Sequence, residues 1–107
     1  MVVEDDVYYD LAYEDLNVSP LFSLDNGKRV LRFGSFSKII SPGLRIGWIM
    51  GRVGLIDDLI NSGLRRLGGG TSPLIANAIS IYCQPGLLEP HIESVQSIYR
   101  KRQDITL

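Results

Sequence analysis

Two short apolar runs separated by a nine-residue loop lie in the middle of the chain, and they limit the folds that it can adopt. Residues 28–34 (KRVLRFG) are typical of a strand that stops at a glycine, and residues 44–50 (LRIGWIM) are typical of another. The connection contains Ser41-Pro42-Gly43, which predicts a turn. Near the start, Val2-Val3 followed by acidic residues predicts a buried strand that ends at a polar edge. We therefore predict three short strands.

Helical spacing replaces the strand pattern from Gly54 onwards. Between the first and second strands, residues 10–27 predict a loop with at most one helical turn, which ends in an Asn-Gly turn. After Gly54, a first helix is predicted to end at the glycine run 68–70. A second is predicted from Pro73 to Tyr82 with Ser72 as its N-cap, and a third from Pro90 into the end of the chain. Three strands followed by three helices predict a mixed α/β fold.

The bulk properties narrow the classes of partner and location. Eleven basic and twelve acidic residues leave a net charge of −1, which gives no general attraction for nucleic acid or an anionic membrane. The single cysteine, Cys83, rules out an internal disulfide and fits a reducing compartment, so we expect a cytoplasmic protein. One histidine and one cysteine predict no metal cluster. Both ends fall inside predicted elements, so we expect a piece of a larger protein.

The loop between the second and third strands and the start of the third strand carry groups suited to chemistry. Ser35 and Ser37 supply hydroxyls, Lys38 an amine and Arg45 a guanidinium. Donors of this kind that converge on one point form an anion site, and a phosphate dianion fits it. Lys38 serves either as a further phosphate donor or as a nucleophile beside the phosphate. Phosphate donors next to a nucleophilic lysine are the minimum set for holding pyridoxal phosphate as a Schiff base.

A second group of candidate residues follows the first strand. Asp5 and Tyr8 are expected at the edge of the sheet where parallel strands bring side chains to a ligand. A carboxylate there pairs with the protonated pyridine nitrogen and keeps the ring an electron sink. A phenol there donates a hydrogen bond to the 3′ oxygen of the ring. The two groups together therefore predict a Schiff-base lysine, phosphate donors and two ring contacts of a pyridoxal-phosphate site.

These residues resemble the motifs of a known family. EDDVYY (residues 4–9), SFSK (35–38) and PGLRIG (42–47) occur in the order and at the spacing of fold-type I pyridoxal-phosphate enzymes. The resemblance covers nearly the whole chain. It is strongest to the class I and II aminotransferases, particularly those that act on 2-aminoadipate, kynurenine and aromatic or branched amino acids. The family often carries proline at the position of Val7, and proline there would only stiffen the turn.

The resemblance implies a role for each candidate residue. Lys38 would form the Schiff base and move the proton during catalysis. Asp5 and Tyr8 would contact the ring, and the phosphate would be bound by Ser35, Ser37 and Arg45. Because strand alternation sends adjacent residues to opposite faces, only one of the two aspartates fits. The Asp-x-x-Tyr spacing selects Asp5, and a shift of one residue would move the role to Asp6.

The resemblance also implies an architecture and a reaction. Residues 1–107 would be part of the large, pyridoxal-phosphate-binding domain, without its N-terminal part and without the small domain. The three strands would belong to a mostly parallel sheet whose last strand is antiparallel. The parent protein would be a homodimer that exchanges an amino group between an amino acid and a 2-oxo acid. The 107 residues alone are expected to have little or no activity, because catalysis needs several groups held at once.

Several alternatives stay open at this stage. Other fold-type I activities use the same residues: β-lyases, cyclopropane-carboxylate synthases, and regulators in which an aminotransferase-like domain is fused to a DNA-binding module. A non-catalytic truncated product is a further alternative. Thr71 and Ser72 are candidates for a dimer interface or substrate entrance, although a plain helix connector fits them equally. His91 is expected in a surface or capping role, and Trp48 in the core.

Overall fold

In the computed structural model, a three-stranded sheet organises the chain, of which residues 1–12, 18–63 and 70–106 are described. The strands lie side by side in chain order: β1 (Val2–Asp5), β2 (Val30–Ser35) and β3 (Gly47–Met50). β1 and β2 are parallel, with Asp5 opposite Phe33, and β2 and β3 are antiparallel, with Ser35 opposite Gly47. The predicted mixed sheet with an antiparallel last strand is therefore confirmed.

Among the described residues, two single α-helical turns interrupt the strands, and three longer helices follow them. The short ones are α1 (Leu21–Leu24) and α2 (Phe36–Ile39); the longer ones are α3 (Val53–Asn61), α4 (Pro73–Tyr82) and α5 (Leu88–Thr106). None of the described helices is both long and apolar enough to cross a membrane. The structure thus confirms strands first and long helices afterwards, and adds the turn α2 that the strand pattern alone did not predict.

The predicted boundaries agree to different degrees. The bounds of α4 are as predicted, but Ser72 makes no side-chain hydrogen bond at its N-cap. β3 begins three residues later than expected, because Pro42–Leu44 forms a 3-10 turn and Arg45 adopts a left-handed conformation. α5 begins two residues before Pro90. The predicted end of the first long helix at residues 68–70 falls largely outside the described residues.

Burial concentrates on the central strand. Val30 and Leu31 of β2 are buried, and Ile39, Ile46 and Ile79 complete the buried apolar set among the described residues. The prediction that β1 is buried is wrong, since Val2 and Val3 are 47% and 58% exposed. The physical reason is the strand order, because β1 is an edge strand and only β2 has a neighbour on each side.

One glycine allows a large aromatic side chain to pack between β2 and β3. A Cβ atom on Gly34 would lie 2.3 Å from Cζ2 of Trp48, so only glycine leaves room for the indole ring. Gly34 and Trp48 are paired residues on adjacent strands. Trp48 is half-buried rather than fully in the core. The packing of Trp48 against Gly34 therefore restrains the end of β2, where the chain enters α2.

The turn before β2 has the conformation that its sequence predicts. Asn26 and Gly27 both have positive φ values, 51° and 66°. The Asp25 carboxylate closes the turn by accepting hydrogen bonds from the backbone amides of Arg29 and Val30. The hydrogen bond from Arg29 is the main reason that the pKa of Asp25 lies below its ordinary value.

Candidate active site

Lys38 and Tyr8 face one cleft at the end of the sheet. Lys38 lies in α2 directly after β2, and Tyr8 lies in the turn after β1. Because β1 and β2 are parallel, both segments leave the sheet at the same edge. Lys38 Nζ lies 5.7 Å from the centroid of the Tyr8 ring. Both side chains line a cleft of about 540 Å³, a size suited to a small ligand.

The two serines of the SFSK segment have different environments. Ser35 is the N-cap of α2: its Oγ accepts a hydrogen bond from the Ser37 amide at 3.2 Å and donates one to the Ile46 carbonyl at 3.4 Å. Ser37 is buried and lines, together with Lys38, a second cleft of about 350 Å³. The Ser35 hydroxyl therefore shapes the turn, and it must exchange its bond to Ile46 in order to donate to a phosphate.

Arg45 approaches the same end of the sheet through its backbone. It is a non-glycine residue in the left-handed region, with φ 53° and ψ 41°, a conformation that costs roughly 1 kcal/mol. The Phe36 amide donates to the Ile46 carbonyl at 3.0 Å, which holds the residue after Arg45 against the start of α2. The Arg45 side chain is exposed and lines neither cleft that contains Lys38.

The two adjacent aspartates have different partners. Asp6 forms an ion pair with Arg32, and both side chains are mostly buried, at 12% and 16% exposure. Asp5 is exposed, and its Oδ1 accepts a hydrogen bond from the Val7 amide at 3.1 Å, which fixes the carboxylate at the strand end. Since Asp6 is neutralised by Arg32, Asp5 is the carboxylate available to a ligand. Asp5, like Arg45, does not line the cleft between Lys38 and Tyr8.

Arg32 of β2 is the centre of a cluster that includes Asp6, Tyr9 and Trp48. Its guanidinium lies 5.1 Å from the centroid of the Tyr9 ring and 5.7 Å from that of Trp48. Burial raises the pKa of the neighbouring Asp10, the Arg32 charge opposes that shift, and the Asp6 charge adds to it. Tyr9 and Trp48 thus confine the guanidinium that neutralises Asp6. Because Asp6 and Tyr9 lie on either side of Tyr8 in the sequence, their contacts with Arg32 restrain the turn that carries Tyr8.

Three residues of α5 that the sequence did not indicate also border the site. The expected surface or capping role for His91 holds in part: the side chain is half-buried, and its Nε2 donates to the carbonyl of Ile39, the last residue of α2, at 2.7 Å. Gln96 donates to the carbonyls of Asp10 and Ala12, and Tyr99 lines both clefts. The apolar spacing of Ile92 and Val95 would have placed these side chains on the inner face of the helix.

The remaining candidates receive no structural support. Thr71 and Ser72 are exposed, and only Gly70 separates them from residues 64–69, which lie outside the described part of the chain. Their assignment to an interface or substrate entrance stays a prediction. Among the described residues, no group of three histidine, cysteine or acidic side chains is arranged to hold a metal ion.

The chain matches one family of enzymes along almost its entire length. The model of "Aminotransferase class I and II" matches residues 1–106. The chain belongs to this family. The fold agrees, because the structure of a kynurenine aminotransferase from Pyrococcus horikoshii superposes with a TM-score of 0.83 at 34% identity, covering 97% of this chain and 26% of that one. That structure was determined in complex with PMP, with KYN and KYA as substrate and product.

The curated relatives include proteins named as aminotransferases and proteins named as transcriptional regulators. Aromatic-amino-acid aminotransferase 1 of Thermococcus litoralis is 33% identical over 112 residues, which is 100% of this chain and 25% of that protein. The uncharacterized HTH-type transcriptional regulator YisV of Bacillus subtilis is 35% identical over 103 residues, which is 96% of this chain and 21% of that protein. The chain therefore spans about a quarter or less of the length of these relatives.

Proposed function

We propose that this chain is part of the large domain of a pyridoxal-phosphate-dependent aminotransferase and that Lys38 binds the cofactor covalently. The observation that carries the proposal is the position of Lys38 Nζ, 5.7 Å from the centroid of the Tyr8 ring across a cleft of about 540 Å³. The aldehyde and the 3′ oxygen of pyridoxal phosphate are on neighbouring ring carbons. An amine and a phenol that face each other across one cleft match that pair of groups.

The other donors at this end of the sheet suit the rest of the cofactor. A pyridinium nitrogen requires a carboxylate, and Asp5 has one oxygen, Oδ2, that accepts no hydrogen bond from the described residues. A phosphate dianion requires hydroxyl and guanidinium donors, which Ser35, Ser37 and Arg45 provide. The chemical types of the side chains therefore fit each part of pyridoxal phosphate.

In this proposal the residues of the chain bind, orient and move a proton. Pyridoxal phosphate, when bound, supplies an aldehyde that condenses with amines and a ring that accepts an electron pair. Once the amino group of the substrate has replaced it, Lys38 Nζ would take the proton from the substrate Cα and deliver it to the cofactor carbon that had carried the aldehyde. Tyr8 donates to the 3′ oxygen, and Asp5 keeps the ring nitrogen protonated. Ser35, Ser37 and Arg45 hold the phosphate, so that the ring stays oriented toward Lys38.

We further propose an amino acid and a 2-oxo acid as the substrates, and a homodimer as the state of the full-length protein. Relatives named for aromatic amino acids and kynurenine support this class of substrate. The small coverage of those relatives supports the interpretation of residues 1–107 as a partial domain. On this interpretation, the groups that bind the substrate carboxylate belong to other parts of the protein.

Replacing Lys38 with alanine, and Lys28 as a control, tests the proposal. The chain contains Lys28, Lys38 and Lys101. In the full-length protein loaded with pyridoxal phosphate, Lys38→Ala is expected to abolish the visible absorption band of the lysine-bound cofactor and to lower the transamination rate by about a thousand-fold or more. Lys28→Ala, a change at an exposed site in the turn before β2, serves as the matched control and should leave both unchanged. A Lys38→Ala protein that keeps both would refute the proposal.

A second candidate function is favoured by the relative YisV, which is 35% identical and named as an HTH-type transcriptional regulator. In such a protein the same site would sense pyridoxal phosphate or an amino acid instead of turning substrate over. The two functions are distinguished by measuring multiple-turnover transamination and operator DNA binding in the full-length protein. Catalytic turnover without DNA binding supports the enzyme, and cofactor-dependent DNA binding without turnover supports the regulator.

A further inference from the structure

Helix α5 is hydrogen-bonded to the backbone of both segments that form the cleft. His91 Nε2 donates to the carbonyl of Ile39, the residue after Lys38, at 2.7 Å. Gln96 Nε2 donates to the carbonyls of Asp10 and Ala12, both at 2.9 Å, in the turn that follows Tyr8. Lys38 and Tyr8 come from different strands, so α5 links two segments that are distant in the sequence.

The bond from His91 satisfies a carbonyl at the end of a very short helix. α2 has four residues, and the amides of Ile40 and Ser41 both donate to the Phe36 carbonyl. The carbonyls in the last turn of a helix have no partner within it, and His91 supplies one to Ile39. Because a carbonyl only accepts, Nε2 of His91 carries a proton in this contact. The ring is held edge-on to Tyr82, with centroids 5.7 Å apart.

The attachment of α5 to the site depends strongly on these polar contacts. None of the described residues of α5 is fully buried, and its inner face consists of half-buried side chains such as Ile92 and Val95. Apolar contacts of this kind restrain a helix in position but permit small shifts along its axis. Hydrogen bonds to three defined carbonyls specify one register of α5 against both segments.

We infer that His91 and Gln96 are positioning residues that set the distance and orientation between Lys38 and Tyr8. The inference rests on the proposed function, in which these two side chains act on neighbouring groups of one cofactor ring. His91 acts through the Ile39 carbonyl on the turn that carries Lys38. Gln96 acts through the Asp10 and Ala12 carbonyls on the turn that carries Tyr8. Neither touches the cofactor or the substrate in this role.

Substitutions at His91 separate hydrogen bonding from bulk. His91→Leu removes the donor and keeps much of the volume, whereas His91→Gln keeps an N–H donor of similar reach. In the full-length protein, His91→Leu is expected to lower kcat about ten- to a hundred-fold with a smaller change in KM, because misplacement of a reacting group affects the chemical step. His91→Gln should recover most of the loss. Glu93→Gln, an exposed change on the same helix, is the control.

A second measurement does not require the cofactor. Hydrogen–deuterium exchange of the peptide covering residues 36–41 should be faster in His91→Leu than in wild type by about ten-fold, since the Ile40 and Ser41 amides lose a fixed turn. Gln96→Met should speed exchange in residues 8–12 and leave residues 36–41 unchanged. This pattern shows that each side chain acts on its own segment rather than on global stability.

The outcomes distinguish this inference from the proposed function. Unchanged exchange in residues 36–41 of His91→Leu overturns the inference, whatever the cofactor does. So does a His91→Gln protein that is as impaired as His91→Leu, because a preserved donor would then have no effect. A wild-type protein that takes up no cofactor on Lys38 overturns the proposed function, while the exchange result still decides whether His91 holds the turn.

Discussion

Asp6 pairs with Arg32, whereas Asp5 is held only by the Val7 amide among the described residues. Strand alternation predicted that these neighbours lie on opposite faces, and the motif spacing selected Asp5. The sequence did not reveal the partner of Asp6, because Arg32 is 26 residues away and is brought near only by the pairing of β1 with β2. The ion pair of Asp6 with Arg32 thus gives a physical reason for choosing Asp5 as the ring carboxylate. The sequence supported that choice only through the spacing of the family motif.

The different partners of Asp5 and Asp6 predict different effects of replacing each of them with asparagine. Asp5→Asn should lower kcat by about a hundred-fold, because the carboxylate that stabilises charge on the ring is lost, and should change stability little. Asp6→Asn should lower the free energy of unfolding by about 1–3 kcal/mol, because it leaves the mostly buried Arg32 without a charged partner. Urea denaturation and steady-state kinetics on both variants measure these effects. The reverse pattern would assign the ring contact to Asp6.

Asp25 predicts a pH-dependent contribution to stability. Its pKa is lowered in the folded state, chiefly by the hydrogen bond from the Arg29 amide, so the charged form favours folding. This stabilisation is present above the ordinary aspartate pKa of about 4 and is lost as pH falls through the lowered value. Asp25→Ala should therefore lower the melting temperature at pH 7, and the difference from wild type should shrink below about pH 4. A difference that stays constant down to pH 2.5 would contradict this assignment.

At the level of elements, local sequence predicted the parts of the site that are close in the chain. The strand β2, the segment SFSK and the turn before β3 form a continuous stretch, and the structure keeps them in that order. Helix α5 was predicted as an element, but not its contacts with Ile39 and Ala12. His91 is 52 positions away from Ile39 in the sequence, and Gln96 is 84 positions away from Ala12, so no local sequence pattern encodes these contacts. The left-handed backbone at Arg45 was also missed, since arginine has no preference for that region.

The packing of β2 on β3 predicts opposite results for two glycine substitutions. Gly34→Ala should destabilise the protein by about 1–3 kcal/mol, because the new methyl group overlaps the Trp48 ring. Gly54→Ala, in α3, meets no atom within 4 Å and should stabilise by roughly 0.5–1 kcal/mol through helix propensity. Thermal unfolding monitored by Trp48 fluorescence checks both. A neutral Gly34→Ala would show that Trp48 moves away without cost.

The whole molecule exposes apolar surface on both outer strands of its sheet. Val2 and Val3 on β1 are 47% and 58% exposed, and Ile49 and Met50 on β3 are 55% and 44% exposed. Exposed apolar edge strands favour association with other chains. The family resemblance correctly predicted an antiparallel last strand in this sheet. Apolar composition alone gave a wrong burial for β1, because burial depends on which elements lie beside the strand.

Residues 1–107 produced alone should therefore differ from the full-length protein. We expect the isolated chain to bind the dye ANS, to self-associate at micromolar concentration, and to show no thermal shift with pyridoxal phosphate. The full-length protein should bind less dye and should be stabilised by the cofactor. Size-exclusion chromatography and thermal-shift titration of the two proteins in parallel test this. Tight stoichiometric binding of pyridoxal phosphate by the isolated chain would show that these residues suffice for the site.

Reductive trapping of the cofactor tests the assignment of Lys38 most directly. The full-length protein is incubated with pyridoxal phosphate, reduced with borohydride and digested, and the modified peptide is identified by mass spectrometry. The chain has lysines at positions 28, 38 and 101, so the modified position is read without ambiguity within it. We predict stoichiometric pyridoxyl modification of Lys38, with Lys28 and Lys101 unmodified. An unmodified Lys38 in a protein that has bound the cofactor would contradict the proposed function.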